Sequence, residues 1–454
     1  MTATPLMIVV LGAGKGTRMK SDLPKVLHAV GGRSMLAHVL DLAKAAQADR
    51  IVTILAPGMD TVRQAAHAIV PEAEVFIQEN QLGTADAVKA ASEAIAAHTG
   101  DVIVLYADTP LIEPATIARL REALDEGAGV AVLGFEAADP TGYGRLLTDS
   151  AGTLLAIREH KDASETERAI TLCNSGVMAF RVADLGGTLA RIGNANAKGE
   201  YYLTDAIEIV RADGGGAAVV RCAQEEVLGV NSRLELAQAE AIFQARRRRE
   251  AMEEGATLIA PETVWFSHDT VIGRDVVIQP NVFFGVGVSV EDGVEILANC
   301  HFEQAHIGKG ARVGPFARLR PGARLGANVH VGNFVEVKNL DMGEGAKANH
   351  LAYLGDGEVG AKSNIGAGTI FCNYDGFFKH KTVVGAGAFV GSNCSLVAPV
   401  TIGDGAYVGS GSVITKDVSA GALALERASQ EERPGWAEKF AIVMRKRKAA
   451  ANKR

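Results

Sequence analysis

The sequence contains no apolar run approaching the roughly 20 residues that a membrane-spanning helix requires. Its first residues, MTATPLMIVV, carry no basic n-region, so the opening apolar stretch reads as a buried strand and not as a signal peptide. Cysteine is sparse: Cys173, Cys222, Cys300, Cys372 and Cys394 are odd in number and scattered, with no CxxC pair. That pattern argues against a disulfide scaffold and fits reduced thiols in a cytoplasmic protein. Positive charge is not in excess either. With 46 Lys and Arg against 53 Asp and Glu, the net charge of −7 gives a nucleic-acid partner no bulk electrostatic support. The composition is otherwise that of an ordinary globular protein, and 454 residues suffice for two or three domains.

Two halves of the chain follow different periodicities. Over residues 1–230, short apolar runs at 7–11, 51–55, 75–77, 102–106 and 130–134 alternate with alanine-rich stretches of helical length at 35–46 and 84–97. This predicts a Rossmann-like α/β domain with a mostly parallel sheet, whose ligands bind at the carboxyl ends of the strands. A connecting helix is expected over 231–252, its Arg246–Arg249 run forming a solvated face. From 253 to 454 aliphatic or aromatic residues recur every six. One series is Ile272, Ile278, Phe284, Val290, Ile296 and Phe302; a second runs from Ile307 to Val337, and a third from Val384 to Ile414. Gly, Asn, Asp and Ala fill the positions between, which we read as tight-turn residues. A six-residue period predicts a left-handed parallel β-helix of hexapeptide repeats. The period fails near residue 340, before KANHLAYLGD (347–356), and again at CNYDGFFKHKT (372–382). Interruptions of this kind commonly carry function.

The stretch LGAGKGTRMKSDLPK (11–25) has the glycines and cations of a phosphate-binding loop. Its spacing fits neither the P-loop nor the dinucleotide fingerprint. Taken singly, its residues have plainer readings. Glycines at 12, 14 and 16 serve any strand-to-helix turn, Lys25 reads as a surface lysine, and Asp108 or Asn231 could cap a helix. His350 stands where the six-residue period stops, and a histidine suits removal of a proton at neutral pH.

The ordered set of motifs resembles the nucleoside-diphosphate-sugar pyrophosphorylases: LGAGKGTRM with Pro24-Lys25, QLGTADA (81–87), YAD (106–108), DPTGYGR (139–145), EHKDA (159–163), NSG (174–176), GEYYLTD (199–205) and GVNSR (229–233). In the second half stand GPFARLRPGA (314–323), HVGNFVEVK (330–338), HLAYLGD (350–356) and NIGAGTIFCNYDG (364–376). With these the whole chain is similar to the bifunctional bacterial N-acetylglucosamine-1-phosphate uridylyltransferases/glucosamine-1-phosphate N-acetyltransferases.

The resemblance implies acetyl transfer from acetyl-CoA to glucosamine 1-phosphate, then uridylyl transfer from UTP with release of pyrophosphate. The product, UDP-N-acetylglucosamine, feeds peptidoglycan and lipopolysaccharide precursors. It implies Mg²⁺ on Asp108 and Asn231, with Arg18 and Lys25 on the reacting phosphates. Leu11, Gly12, Ala13, Gly14, Gln78, Gly83, Thr84, Tyr106 and Ala107 would take the uridine end, and Gly144, Glu159 and Asn174 the sugar. His350 would be the acetyl-transfer base. Arg320, Lys338, Tyr353 and Asn364 would hold glucosamine 1-phosphate; Ala367, Asn373, Tyr374, Ser392, Ser410 and Arg427 would hold acetyl-CoA. A homotrimer is implied, with no nucleic acid and no membrane span. Gly12, Ala107 and Ser410 depart from the family's usual alanine, glycine and alanine.

Three alternatives stay open at the level of sequence. The β-helix could be only an assembling and regulatory element on a monofunctional sugar-1-phosphate nucleotidyltransferase. His268, His301 and His306 have a spacing similar to that of the zinc-dependent γ-class carbonic anhydrases. The chain could also be a non-catalytic trimeric scaffold.

Overall fold

The computed structural model describes residues 4–181 and 183–452. The end of the basic tail, Lys453 and Arg454, lies outside them. Two compact units emerge: residues 1–251 with 265–269, and residues 252–264 with 270–454. The helix Arg233–Glu253 falls mainly in the first unit, which therefore runs past the expected boundary at residue 230.

The first unit is built on a nine-stranded sheet. Its main path runs Gly216–Cys222, Ala128–Glu136, Leu172–Phe180, Asp101–Tyr106, Leu6–Leu11, Arg50–Leu55 and Glu74–Ile77. Five of these strands contain the predicted apolar runs. They are buried on both faces because helices cover both sides, so their sequences show no polar alternation. Leu172–Phe180 is antiparallel to both of its neighbours, whereas Gly216–Cys222 pairs parallel with Ala128–Glu136. Chain order reverses between Leu6–Leu11 and Asp101–Tyr106, the switch point where an α/β sheet opens a crevice for ligands.

Residues 84–97 do not form one helix. Thr84–Lys89 and Ser92–Ala96 are separate because the Ser92 hydroxyl takes the Lys89 carbonyl and the turn at Ala91 tightens.

The second unit is a parallel β-helix. Val277 lies beside Glu295, and Asn281 bonds the coil eighteen residues earlier at Thr263. Other sides close in seventeen, as at Ser289 and His306. All the predicted hexad residues are buried except Ile272, which is half-buried. Two details correct the reading from sequence. Alanines at 305, 311, 317 and 323 do not make turns; they point inward two positions before each large hexad residue, and they are as buried. Each of these sides therefore inserts one small and one large side chain, and on other sides valine takes the alanine position. The fold also does not stop near residue 340. Strands Glu336–Met342 and Tyr353–Val359 pair in register, and Met342, Ala348 and Leu354 continue the core. A coil one residue shorter shifts the phase, and the period appears to break only in the sequence. The real interruption is the loop following Phe371, closed by a bridge between Tyr374 and Lys379.

Because Ala317 is fully enclosed, Ala317→Leu should overpack the coil. We expect a loss of ~1–3 kcal/mol in denaturant unfolding of the second unit, whereas a turn-filling alanine would tolerate the change.

Candidate active sites

At the switch point of the first unit, a cavity of about 500 Å³ is lined by Leu11, Gly12, Ala13, Gly14, Lys25, Gln78, Gly83, Thr84, Tyr106, Asp108, Gly144, Glu159 and Asn174 among others. A second cavity of about 730 Å³ shares Ala13, Gly14, Lys25 and Gln81 with it. Lys25 comes from a short 3₁₀ turn and passes beside Gly16, where an added Cβ would lie 2.6 Å from its own Cβ. Gly16 sits at φ +60, so both space and backbone favour glycine. The Lys25 ammonium pairs with the Asp108 carboxylate and donates 3.0 Å to Asn231 Oδ1. The Val230 amide bonds the Asp108 carbonyl at 2.9 Å, tying the two loops together.

Neither Asp108 nor Asn231 caps a helix. The helix after Asp108 begins beyond Glu113, and Ser232 takes the Glu235 amide at the start of Arg233–Glu253. Their side-chain oxygens instead converge on the Lys25 ammonium; Asp108 lines the first cavity and Asn231 lines neither. Arg18 is exposed on its turn and lines neither cavity.

At one end of the cleft, Gln78 fixes the turn before Thr84 by donating to the Gly83 carbonyl at 3.1 Å and to Asp86 at 2.8 Å. Gln81, absent from the sequence-based set, bonds the Ala13 carbonyl. The Gly12 and Ala107 departures face one another: a Cβ on Gly12 would lie 3.6 Å from the Ala107 Cβ. One methyl is thus carried by either strand end, and the exchange preserves volume.

At the other end, the Asn174 amide bonds the Gly144 carbonyl at 2.8 Å, and Gly144 leaves room beside Glu159. Burial raises the Glu159 carboxyl, and Asp162, Asp205 and Glu200 add to the rise while Lys198 opposes it. Burial, with Asp108 and Glu159 nearby, likewise pushes the Tyr106 hydroxyl up. Tyr202 and Thr204 were missed from sequence; both are buried at the cavity wall, and their hydroxyls lack partners.

In the second unit His350 is exposed, and its Nδ1 meets Asn333 Oδ1 at 2.6 Å across paired strands. One turn further on, Lys338 lies 3.6 Å from Asp356, which also accepts from Asn339 at 2.8 Å and Asn373 at 2.5 Å. Burial works against the Asp356 charge, but these bonds and Lys338 hold its carboxyl below the usual range. Asn373 also bonds the Tyr353 hydroxyl at 3.3 Å, and Arg320 pairs with Glu336 at 2.8 Å. Asn364 lies beside Lys347 on the neighbouring strand pair.

The coenzyme candidates run along successive coils: Asn393 bonds the Ala367 carbonyl, the Ser392 amide bonds the Ser410 hydroxyl at 3.1 Å, and Arg427 bonds the Ser410 carbonyl at 2.8 Å. Ser410 thus supplies an acceptor that alanine would lack. Tyr374 is exposed on the inserted loop, which Asp375 organises. Amides of Phe377 and Phe378 and the His380 ring all bond that carboxylate, driving it down to about 2.

The three histidines of the zinc alternative have separate partners: His268 with Ser267, His301 stacked on Phe283, and His306 with Ser289. Among the described residues no helix is long and apolar enough to cross a membrane.

Residues 8–171 match the MobA-like NTP transferase domain, and residues 304–339 and 381–416 match the bacterial transferase hexapeptide. Full-length relatives named bifunctional protein GlmU are close in sequence. That of Azorhizobium caulinodans is 58% identical over 96% of this chain and 97% of its own length. That of Xanthobacter autotrophicus is 57% identical over 99% and 100%, and that of Sphingopyxis alaskensis 52% over 99% of each. The chain belongs to the bifunctional GlmU family. It is a bifunctional transferase, with a nucleotidyltransferase domain and a hexapeptide acyltransferase domain.

Since Lys25 fits only past a bare Gly16, Gly16→Ala should displace its ammonium. Nucleotidyl transfer is expected to fall at least tenfold in a steady-state assay, with acetyl transfer nearly unchanged and a lower melting temperature for the first unit, because alanine is strained at this backbone angle.

Proposed function

We propose that the protein makes UDP-N-acetylglucosamine in two steps: acetylation of glucosamine 1-phosphate by acetyl-CoA, then uridylyl transfer from UTP to the N-acetylated sugar phosphate. The observation that carries the second step is the meeting of Lys25, Asp108 and Asn231, which lie far apart in sequence, at a sheet switch point.

Two anions must meet for a sugar phosphate oxygen to attack the α-phosphorus of UTP and expel pyrophosphate. Lys25 and Arg18 supply positive charge to the reacting phosphates, and backbone amides of Ala13 to Gly16 approach them closely. Leu11 to Gly14, Gln78, Gly83, Thr84, Tyr106 and Ala107 enclose the uridine, while Gly144, Glu159 and Asn174 receive the sugar.

The donor set of Asp108 and Asn231 suits Mg²⁺: two hard oxygens converge on one point, which the Lys25 ammonium reaches. When bound there, Mg²⁺ would neutralise triphosphate charge. Lys25 lies within reach of the same oxygens and would contact phosphate from its 3₁₀ turn.

For acetyl transfer, His350 serves as general base. Its Nδ1 donates to Asn333 Oδ1, so Nε2 keeps its lone pair for the substrate ammonium. The freed amine attacks the thioester carbonyl, the C–S bond breaks, and the coenzyme leaves as a thiolate that takes up a proton. Arg320 and Lys338 face the sugar phosphate, with Tyr353 and Asn364 beside it. Acetyl-CoA lies along Ala367, Asn373, Tyr374, Ser392, Ser410 and Arg427.

Reciprocal variants test the reading in a coupled assay that omits each substrate in turn. Asp108→Asn should abolish uridylyl transfer and spare acetyl transfer. His350→Ala should slow acetyl transfer by about 10²–10⁴-fold and spare uridylyl transfer. Normal acetylation by His350→Ala would favour a β-helix that only assembles and regulates.

We further propose a cytoplasmic homotrimer formed through the β-helix. Beside His350, Phe316, Phe334 and Leu351 form an apolar ladder with φ of 56, 55 and 51 and exposures of 48, 54 and 60%. Bulky residues in left-handed backbone, turned to solvent, need a reason, and a neighbouring copy supplies one. Phe334→Asp is expected to yield monomers in light scattering and to lose acetyl transfer; an active monomer would refute the trimer.

A further inference from the structure

The motifs DPTGYGR and EHKDA each contain a charged or titratable residue that the two-step reaction leaves unused: Arg145 and His160. Arg145 is 1% exposed, the largest side chain among the fully buried ones. Among the described residues no carboxylate forms an ion pair with it. Its guanidinium instead spreads its donors over three segments. Nη1 donates to the Tyr143 carbonyl, Nη2 reaches His160 Nδ1 at 3.3 Å and the Arg168 carbonyl at 3.2 Å, and Nε also points to Arg168 at 3.4 Å. The Asp139 carboxylate feels this charge without pairing with it, and burying a cation without a paired counter-charge is costly, so stability alone does not explain this arginine.

What the guanidinium fixes explains it better. Tyr143 precedes Gly144, and His160 follows Glu159, so the bonds seize the two walls of the sugar end of the cleft from behind. Those walls stand close: a Cβ on Gly144 would lie 3.4 Å from Glu159 Oε1. Segment 159–168 is otherwise a turn and a four-residue helix with little burial, closed on itself by Arg168 Nε and the His160 carbonyl at 3.2 Å. Arg145 also pairs in register with Cys173, immediately before Asn174. All three residues assigned to the sugar are thus neighbours of one buried fork, and a planar fork with five donors can hold such divergent acceptors where lysine cannot.

We propose that Arg145, acting with His160, is a positioning residue that sets the sugar end of the uridylyl site and so its specificity for the sugar 1-phosphate. The proposal rests on the assignment of Gly144, Glu159 and Asn174 to the sugar. It touches no substrate: neither Arg145 nor His160 lines the cavity.

Steady-state kinetics on the full-length enzyme test it, varying N-acetylglucosamine 1-phosphate and UTP separately. Arg145→Lys should raise KM for the sugar phosphate about tenfold while KM for UTP moves less than twofold and acetyl transfer stays at the wild-type rate. Arg145→Met should be worse than Arg145→Lys on the sugar KM. His160→Ala, on an accessible loop that should fold whatever happens to the arginine variants, should raise the sugar KM about threefold. Equal effects on both substrates, or a folded His160→Ala with unchanged KM values, would overturn the proposal. Glu159→Gln separates the two claims. If it raises the sugar KM while the Arg145 and His160 variants do not, positioning is wrong and the sugar assignment stands; if it changes nothing, the assignment falls and the proposal with it.

Discussion

The Lys25 ammonium holds the nucleotidyl site together. It joins three chain segments that have no local reason to meet: the glycine loop, the end of Asp101–Tyr106, and the turn before Arg233–Glu253. The ammonium is largely buried, so it needs oxygen around it, and among the described residues Asp108 and Asn231 supply it. The need for glycine at 16 follows, because the lysine stem must pass that point. The end of the helix is constrained as well. Arg233 donates to the Met19 carbonyl at 3.3 Å and meets His28 Nδ1 at 3.2 Å, binding both ends of the 19–28 segment. Burial and the Arg233 charge lower the His28 pKa, and its Nδ1 accepts from the guanidinium. On the proposed function, substrate phosphates would replace the carboxylate as the partner of Lys25, and the ion pair would be the resting arrangement of that charge.

The β-helix solves a different problem. Its core is narrow, and each side of the coil buries two side chains two positions apart, often a larger one after an alanine, cysteine, serine or valine. That leaves every outward position free of packing duty. The acetyl-transfer candidates exploit this freedom: His350, Asn333, Arg320, Lys338 and Tyr353 all point away from the axis on strands whose inward residues do the folding. A charged row can therefore vary without disturbing stability, provided its counter-charges Glu336 and Asp356 vary with it.

Much of this was legible in sequence, for identifiable reasons. Five buried strands showed as unbroken apolar runs because both their faces are covered, and the coil showed as a six-residue period because each side repeats one environment. The inward alanines were misread because a small side chain looks the same in a turn as in a narrow core. The supposed break near residue 340 arose because a coil of seventeen changes the phase of the period but not the packing. Leu172–Phe180 runs antiparallel without any local mark, since direction is a property of the connections. The members of the site could be named from the resemblance. Their convergence was implied by the resemblance too and by nothing local, because Lys25, Asp108 and Asn231 are each an ordinary residue in an ordinary turn.

Arg145 shows what local pattern cannot express. An arginine two residues beyond a Gly-Tyr turn predicts exposure, and most arginines are exposed. It is buried here because three backbone or ring acceptors, on segments 143, 160 and 168, converge where no water is needed to satisfy them. Those acceptors exist only after the strands Arg145–Thr148 and Leu154–Arg158 have paired and brought their flanking turns together. The proposed sugar end therefore stands on strands that hang from Leu172–Phe180, off the main path of the sheet, whereas the proposed phosphate end sits on the central strands. The proposed nucleotide end has the central sheet beneath it, and the proposed sugar end has in its place the hydrogen bonds of one buried cation.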